Sequence, residues 1–337
     1  EVAGTSRIEG AEFTDRELDE AMQNDPQALL TRSQRQAHAA VKAYRAIAAL
    51  SLDVPIDADL IKKVHRLIVE GAHDDHCPPG TLRGPDQNVT FGSPRHRGAE
   101  GGEECRISFQ GLVEAINREG QGHDALIGAL AVHYHLAAIH PFLDGNGRTA
   151  RALEALLLGR AGLRDICFIA MSNYYYEEKQ SYLKSLAEAR ATGHDLTPFL
   201  LFGLKGIQLQ SQKVLNEIRE NISRALFKNV MHDLFGRLRS PKKRVIAKRQ
   251  LRILELLLAE GVLNGDQLDE RTWPSYKSLK SPAKALRRDI LILRDLGAVR
   301  IAKSEVGAFR MWANLDWPTQ ISQTEFFKKV KALPKWR

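Results

Sequence analysis

The chain has 337 residues, 43% hydrophobic and 27% charged, which is typical of a globular protein in water. It contains no apolar run of about 18 residues, and its first ten residues, EVAGTSRIEG, lack the basic and apolar regions of a signal peptide. We therefore expect no membrane span and a cytoplasmic location. Three scattered cysteines, Cys77, Cys105 and Cys167, favour reduced thiols in that compartment.

Most of the chain shows the periodicity of amphipathic helices that end at Gly or Pro. The predicted helices cover residues 25–50, 57–71, 108–119, 124–139, 147–162, 174–190, 196–218, 248–261 and 281–297. The segment 77–104 is instead rich in Gly and Pro, and its NVTF stretch at 88–91 is a short β-like run. This pattern predicts a small hairpin on a helical body.

Residues 248–315 are predicted to form a separate module. A first helix is followed by a short helix capped by Asn264 or Asp266, and then by the helix at 281–297, which begins after Ser281. The stretches AVRIA and AFRMWA then flank KSEVG, which is a hairpin signal. Three helices followed by a hairpin is the order of a winged helix.

The net charge of +8 is unevenly distributed, since residues 237–252 contain eight Lys and Arg residues and no acid. That run indicates either a solvated basic linker or contact with nucleic acid or an acidic partner. The helix at 281–297 adds cations, although Asp289 and Asp295 dilute them. The added cations are Lys284, Arg287, Arg288 and Arg294. DNA binding and protein docking both remain open for this module.

The stretch HPFLDGNGRTAR at 140–151 concentrates groups that can do chemistry. Pro141 disfavours the α conformation at His140, so the preceding helix should end there and leave the imidazole on a loop. Gly145 and Gly147 lie in turn dipeptides and allow backbone N–H groups to approach a ligand closely. A helix begins immediately afterwards, and its N-terminus together with these amides can bind an anion.

Arg148 and Arg151 lie in the first turns of that helix, where the helix dipole disfavours cations. An anion with several negative charges would resolve this conflict, and Asp144 is a natural ligand for Mg²⁺ that bridges phosphates. The loop therefore indicates a nucleotide phosphate site with a histidine base beside it. The alternative is a tight interhelical turn with an incidental histidine.

HPFLDGNGRTAR matches, at every defined position, the motif HPFx(D/E)GNGRxxR, and residues 57–205 resemble the Fic family. The resemblance implies a mainly α fold, with a helical Fic core, a β-hairpin flap and, beyond them, the C-terminal winged-helix domain predicted above. Fic proteins mostly transfer AMP from ATP to a hydroxyl side chain of a target protein.

By this resemblance, His140 would be the general base for a Ser, Thr or Tyr hydroxyl of the target. Phe142 would be a buried anchor, and Asp144 would hold Mg²⁺ or Mn²⁺. The phosphates of ATP would be bound by Gly145, Asn146, Gly147, Arg148 and Arg151. The flap that pairs with the target backbone would contain Val89, Thr90, Phe91 and Gly92, where the family often has a Trp-Ile-Gly-Gly pattern instead.

Other histidines and tyrosines admit two interpretations each. His133 and His135 could suggest zinc, but residues two apart on a helix face different ways, which favours a hydrogen-bonded structural role. The HDDHC stretch at 73–77 could suggest metal ligands or a solvated loop. Tyr174, Tyr175, Tyr176 and Tyr182 could wall an adenine pocket or pack in the core.

TSRIEG at 5–10 matches the inhibitory motif (S/T)xxxE(G/N) of the Fic family. The resemblance implies that Glu9 pairs with Arg151 and occupies the γ-phosphate site. Gly10 suits the left-handed position that ends a helix. A helix of about ten residues is marginal alone, so it would stay folded only by docking and could be displaced. The alternative is a frayed helix with a surface acid.

These observations predict a self-inhibited protein adenylyltransferase with ATP and a hydroxyl-bearing protein as substrates. The predicted domains are an N-terminal region 1–56, a Fic core 57–205, a helical and basic linker 206–247, a winged helix 248–315 and a tail 316–337. A second enzymatic hypothesis is AMP removal, with Glu9 positioning a water. A third is a DNA-binding regulator whose core only senses. DNA or a protein could bind the winged helix. A second copy of the chain could also bind and form a homodimer.

Overall fold

The computed structural model describes residues 2–10, 31–51, 53–71, 76–92, 94–119, 124–163, 171–238, 241–303 and 309–332, and the single residues 14, 16, 19, 20 and 23. The side chains of residues 241–243 and 332 are not among those described. The chain divides into two compact units, Glu1–Val214 and Leu215–Arg337.

The first unit is helical. Its helices are α1 (Val2–Ile8), α2 (Arg32–Ala48), α3 (Ala58–Val69), α4 (Glu103–Glu119), α5 (Ala125–Ile139), α6 (Asn146–Leu158), α7 (Met171–Glu177), α8 (Lys179–Ala191) and the start of α9 (Thr197–Gly236). A π-helical turn, Gly159–Leu163, follows α6. None of the described helices combines the length and apolar content that crossing a bilayer needs.

Helices α5 and α6 form the centre of this unit, since they pack against each other and bury residues on several sides. Leu136, Phe142 and Leu153 are fully buried in the core that α3 and α4 complete. Burying a large apolar side chain stabilises a fold by roughly 1.5–3 kcal/mol. The six-residue connection from α5 to α6 is therefore anchored at both ends by well-packed helices.

A two-stranded antiparallel hairpin interrupts the helical body. Strand β1 (Thr90–Phe91) pairs with β2 (His96–Arg97), with Thr90 opposite Arg97 and Phe91 opposite His96. The hairpin lies in the Gly- and Pro-rich segment where the sequence predicts one. Isolated two-stranded hairpins are marginal in water, so contacts with the body must hold it in place.

The second unit contains the end of α9, then α10 (Pro241–Glu260), β3 (Leu263–Asn264), α11 (Gly265–Tyr276), α12 (Pro282–Asp295), β4 (Val299–Lys303), β5 (Phe309–Ala313), α13 (Trp317–Gln320) and α14 (Gln323–Ala332). Strands β3, β5 and β4, in that order, form an antiparallel sheet. Asn264 caps α11 through a reciprocal capping box with Gln267. The helices and the hairpin occur in the predicted order, and the winged-helix assignment itself stays a prediction.

Several boundaries differ from those predicted. Helix α4 begins at Glu103 rather than 108, and the tyrosine-rich segment forms two helices that meet at Glu178. Helix α9 runs for 40 residues to Gly236, well past the predicted end at 218. Residues 25–30, 93 and 304–308, which belong to predicted elements, lie outside the described residues. Helix ends depend on caps and packing that periodicity does not encode.

Candidate functional site

His140 occupies a left-handed backbone conformation, with φ 54° and ψ 57°, immediately after α5. This region is uncommon for a residue other than Gly, and such strained residues cluster at functional sites. Its Nδ1 lies 3.1 Å from the carbonyl oxygen of Ala137. A carbonyl can only accept a hydrogen bond, so Nδ1 carries the ring proton and Nε2 keeps a free lone pair.

The aromatic ring of Phe91 stacks on the imidazole of His140, with centroids 3.8 Å apart and planes within 11°. The hairpin therefore covers the histidine. Burial lowers the pKa of His140 to about 4, against its hydrogen bond to Ala137, because water no longer stabilises the imidazolium. At neutral pH the ring is uncharged and can accept a proton.

The loop between α5 and α6 is closed by Asn146. Its side-chain oxygen accepts from the N–H of Phe142 at 2.9 Å, and its amide donates to the Phe142 carbonyl at 2.8 Å. Asn146 is buried, so its side chain fixes the shape of the loop. Gly145 has φ 77°, and a Cβ there would lie 2.6 Å from Val69, so no other residue fits without a shift.

His65, on α3, supports the same loop from below Phe142. Its ring stacks on Phe142 with centroids 3.7 Å apart. The N–H of Gly80 donates to His65 Nδ1 at 2.9 Å, so His65 Nε2 carries the proton and donates to the Asp144 carbonyl at 2.9 Å. Burial lowers the pKa of His65 to about 4, so the ring is uncharged at neutral pH and its two hydrogen bonds select this tautomer.

Asp144 and Arg148 form an ion pair at the start of α6. The carboxylate accepts from Arg148 Nη2 at 2.9 Å and from the N–H of Gly145 at 2.6 Å. Burial opposes ionisation of Asp144, but the attraction of Arg148 and these hydrogen bonds outweigh it and lower its pKa. The Arg148 side chain is only 3% exposed, while that of Asp144 is 40% exposed.

Arg148 is incompletely satisfied. Among the described residues, its Nε and Nη1 have no hydrogen-bond partner although both are buried. A buried guanidinium nitrogen without an acceptor is costly, because its hydration is lost and nothing replaces it. The position beside Gly145 and Gly147, at a helix N-terminus, is suited to an anion that would accept from these groups.

Arg151, one turn further along α6, is also buried, but all three nitrogens of its guanidinium have hydrogen-bond partners. Its Nη2 donates to Glu9 Oε1 at 2.6 Å and to the Thr5 carbonyl at 3.2 Å, and its Nε donates to Thr5 Oγ1 at 2.9 Å. Burial opposes ionisation of Glu9, but the charge of Arg151 and its hydrogen bond lower the pKa of that carboxyl. The pair joins residues 142 positions apart in sequence.

Glu9 lies directly over the first turn of α6. A Cβ built on Gly147 would lie 2.6 Å from Glu9 Oε1, so a larger residue there would require the Glu9 carboxylate to shift. A negative carboxylate therefore occupies part of the surface where the backbone and the arginines attract anions. The sequence-predicted pairing of Glu9 with Arg151 is present in the structure.

Helix α1 is held by contacts with α7 and α8. The N–H of Gly4 donates to the Asn173 side chain at 3.1 Å, and Lys179 Nζ donates to the Ile8 carbonyl at 2.8 Å. A Cβ on Gly4 would lie 2.3 Å from the carbonyl oxygen of Ser172, so the two helices touch at a glycine. With Gly10 at φ 87°, the seven-residue helix ends as the sequence predicts.

A buried hydrogen-bond network lies behind Arg151. Tyr182 OH is 3.5 Å from Arg151 Nη1 and 2.9 Å from His133 Nε2. His133 Nδ1 contacts the carboxylate of Glu154, and Tyr175 OH donates to the same carboxylate at 2.9 Å. Burial raises the pKa of Tyr182 to about 12, so it remains a neutral donor. His133 is hydrogen-bonded and structural, which is the role that helix geometry favours.

The remaining predicted residues fall into different environments. Tyr174, Tyr175 and Tyr182 pack in the core, whereas Tyr176 is 41% exposed. His135 is exposed on α5 and does not join His133. Among the described residues, no group of three or more His, Cys, Asp or Glu side chains is placed to hold a metal. Residues 73–75 of the HDDHC stretch lie outside the described part of the chain.

Arg83 is a residue of this site that the sequence did not single out. It is 2% exposed, and its guanidinium donates to the carbonyls of His140 at 2.7 Å, Gln87 at 2.6 Å and Ala99 at 2.6 Å. It thus ties the hairpin segment to the left-handed turn at His140. A lone Arg in a Gly- and Pro-rich loop gives no local signal, because its role depends on the carbonyl of His140, which is 57 positions away in sequence.

Residues 55–158, which include α3 to α6 and the whole of HPFLDGNGRTAR, match the model of the Fic/DOC family. The Caenorhabditis elegans protein adenylyltransferase fic-1 is 31% identical over 165 residues, which are 49% of this chain and 30% of that protein. The Drosophila yakuba protein adenylyltransferase Fic is 42% identical over 158 residues, 46% of this chain and 28% of that protein. The chain thus spans less than a third of the length of these relatives.

Solved structures share the fold. A Fic family protein from Desulfovibrio desulfuricans G20 superposes with a TM-score of 0.55 at 17% identity, covering 93% of this chain and 85% of that one. A fragment of Fic-1 from Caenorhabditis elegans gives a TM-score of 0.53 at 23% identity, covering 65% and 62% of the two chains. The mainly helical fold with a small hairpin is therefore shared with Fic proteins.

Replacing Phe91 by Ala should raise the pKa of His140 from about 4 towards 6.5, because water would reach the imidazole and stabilise its charged form. An NMR titration of the His140 ring measures this. Phe309→Ala, which removes an exposed ring in the second unit, should leave the titration unchanged. A His140 pKa that stays near 4 in Phe91→Ala would show that the hairpin ring is not what excludes water.

Arg83→Ala should lower the free energy of unfolding by about 3 kcal/mol or more, because several carbonyls lose a charged donor in a buried setting. Urea denaturation followed by circular dichroism measures the change. Arg97→Ala, on the same hairpin, removes an exposed ion pair with Glu100 and should change stability by less than about 1 kcal/mol. Equal effects of the two substitutions would contradict the bridging role of Arg83.

Proposed function

We propose that the protein is a protein adenylyltransferase that transfers AMP from ATP to a hydroxyl side chain of a target protein, because residues 55–158 match the model of the Fic/DOC family. We further propose that Glu9 inhibits this transfer. The observation that carries the proposal is the buried guanidinium of Arg148, two nitrogens of which find no acceptor within the described part of the chain, beside a glycine-bounded helix N-terminus. A polyphosphate supplies the acceptors that this site needs.

The phosphates would lie along the first turns of α6. The backbone of Gly145 and Gly147 would approach them, and Arg148 and Arg151 would bind the more distal groups. Asn146 contributes through the loop, since the oxygen and the nitrogen of its side-chain amide both form hydrogen bonds with the backbone of Phe142. Its part in phosphate binding is therefore to hold the backbone N–H groups in place rather than to touch the nucleotide with its side chain.

The residues present fit a divalent cation at Asp144. Its carboxylate is ionised, half-exposed and adjacent to the phosphate site, and Mg²⁺ is commonly bound by one or two carboxylates together with substrate phosphates. We propose Mg²⁺ or Mn²⁺ there. Such an ion would neutralise charge on the leaving pyrophosphate.

His140 would act as the general base. Its Nε2 lone pair is free and the ring is neutral at pH 7, so it can take the proton from a target Ser, Thr or Tyr hydroxyl. The hydroxyl oxygen then forms a bond to the α-phosphorus of ATP, and the bond from that phosphorus to the bridging oxygen breaks. Pyrophosphate leaves with the electron pair, and AMP remains on the target.

The hairpin would present the target. Within the described residues, strand β1 pairs on one side only, with β2, so a target segment could add to its other edge by main-chain hydrogen bonds. Phe91 stacks on His140, so an incoming hydroxyl must displace or slide past that ring to reach Nε2. The hairpin therefore both shields the base and selects which side chains gain access to it.

Self-inhibition would follow from competition for Arg151. Glu9 holds this guanidinium at 2.6 Å and lies over Gly147, so a terminal phosphate that needs the same cation meets a carboxylate of like charge. Helix α1 has seven residues and is too short to be stable alone. Its undocking would expose Arg151 without unfolding the core.

His140→Ala should reduce AMP transfer by about 10²–10⁴-fold, because the proton of the target hydroxyl loses its acceptor, while ATP binding is retained. Incubation with α-labelled ATP and Mg²⁺ measures transfer, and equilibrium dialysis measures binding. His135→Ala, an exposed histidine on the same helix, is the control and should transfer normally. Near-normal transfer by His140→Ala would remove His140 from the mechanism.

Glu9→Gly should increase transfer, including transfer to the protein itself, because Arg151 becomes available to a terminal phosphate. Gly4→Ala should do the same without touching Glu9 or the loop, since a Cβ would collide with the Ser172 backbone and displace α1. Label incorporation from α-labelled ATP measures both variants.

Gly111→Ala is the matched control, because a Cβ at Gly111 on α4 meets no atom within 4 Å. Unchanged transfer in Glu9→Gly would show that the carboxylate does not inhibit. If the wild-type protein instead removes AMP from a modified target and Glu9→Gly cannot, the AMP-removal hypothesis replaces this one.

A further inference from the structure

The second unit carries a groove of about 870 Å³ between α10 and the start of α12. Within the described residues, its lining includes five cationic side chains and no acidic one. The five are Arg249 on α10 and Lys280, Lys284, Arg287 and Arg288 at α12. We call these five residues and the concavity they line the basic groove.

Two of these cations are oriented by a buried acid. Asp289 is 0% exposed, and its carboxylate accepts from Arg249 Nε at 3.0 Å, from Arg288 Nη2 at 3.1 Å and from Tyr276 OH at 2.9 Å. Arg249 also lies over the Tyr276 ring at 5.3 Å. The sequence suggests that Asp289 lies among the surface cations and dilutes them. In the structure it lies inside, where it offsets one positive charge and fixes the guanidinium groups of Arg249 and Arg288.

The other three cations are not compensated. Lys280, Lys284 and Arg287 make no ion pair or hydrogen bond with the described residues. Lys284 lies in the first turn of α12, where the helix dipole disfavours a positive charge. Mutual repulsion in a concave surface adds to this cost. All three side chains are exposed, so water solvates their charges and an external anion can reach them.

We propose that the basic groove binds the phosphodiester backbone of duplex nucleic acid. Five cations in one concavity require several negative charges, and a backbone supplies them as a regular series, whereas a lone phosphate or carboxylate would leave most cations unpaired. Arg244 and Lys248 are exposed on α10 and continue the positive charge along that helix. The charged surface is thus longer than the groove, as an extended polyanion requires.

This proposal is independent of AMP transfer, because the groove contains no residue of the Fic/DOC domain. Contacts to phosphates carry no sequence information, so we expect affinity for duplexes of different sequence. The affinity should fall as the salt concentration rises. Binding releases counterions from the nucleic-acid backbone, and a higher salt concentration opposes that release.

The test is fluorescence anisotropy of the full chain with a labelled 20-base-pair duplex, across a series of NaCl concentrations. The variant Lys280→Glu, Lys284→Glu, Arg287→Glu should bind at least about tenfold more weakly, and its plot of log affinity against log salt should be less steep by about 3. The matched control is Lys328→Glu, Lys329→Glu, Lys331→Glu, which makes the same charge change at exposed positions on α14 and should retain binding.

DNA and RNA duplexes of one sequence are measured in parallel, and preference for either supports the proposal and identifies the nucleic acid. Absence of binding by the wild-type chain at low salt overturns it. Equal weakening by both triple variants also overturns it, because the effect would then be one of net charge. Displacement of the duplex by polyglutamate at equal charge would assign the groove to an acidic protein instead.

Discussion

The buried guanidinium of Arg151 is the interaction on which the arrangement of the first unit depends. A permanent positive charge with 3% exposure must be paired and hydrogen-bonded, or its lost hydration would be very costly. Thr5 and Glu9 provide most of that compensation from a helix that is distant in sequence. The docking of α1 therefore compensates a charge that the core would otherwise leave unmet.

Behind Arg151, the buried network of Tyr182, His133, Glu154 and Tyr175 limits how the arginine can move. Every polar group in that chain has a partner, and a fully satisfied network in a low-dielectric interior is rigid. The cation therefore remains in place when its anion changes. Under the proposed self-inhibition, a fixed cation whose anion changes from a carboxylate to a phosphate would act as a switch.

The loop between α5 and α6 depends in the same way on residues outside the HPFLDGNGRTAR motif. Arg83 holds the carbonyl of His140, His65 holds the carbonyl of Asp144, and Asn146 holds both polar groups of Phe142. These bonds fix the carbonyls of His140, Asp144 and Phe142 and thereby the shape of the loop. Among the described residues, Arg148 pairs with Asp144 but keeps two buried nitrogens without an acceptor, and Lys280, Lys284 and Arg287 of the basic groove have no ion pair.

The sequence by itself determined the helical class, the hairpin, the loop with its base, carboxylate and arginines, and the pairing of Glu9 with Arg151. The helices, the hairpin and the loop follow from periodicity and turn dipeptides, whereas the pairing of Glu9 with Arg151 is what the resemblance to the Fic family implies. Helix lengths were less well determined, as α9 shows, because packing rather than propensity decides where a long helix ends.

Only the tertiary structure decided the roles of Arg83, His65, Gly4 and Asp289. Each depends on a partner from another part of the chain: carbonyls of the turn at His140, the Asp144 carbonyl, the Ser172 backbone, and the guanidinium of Arg249. No local pattern encodes such contacts, because they arise when the core brings distant segments within hydrogen-bond distance. The same reason explains why Asp289 looks like a surface acid in sequence and is a buried support in the fold.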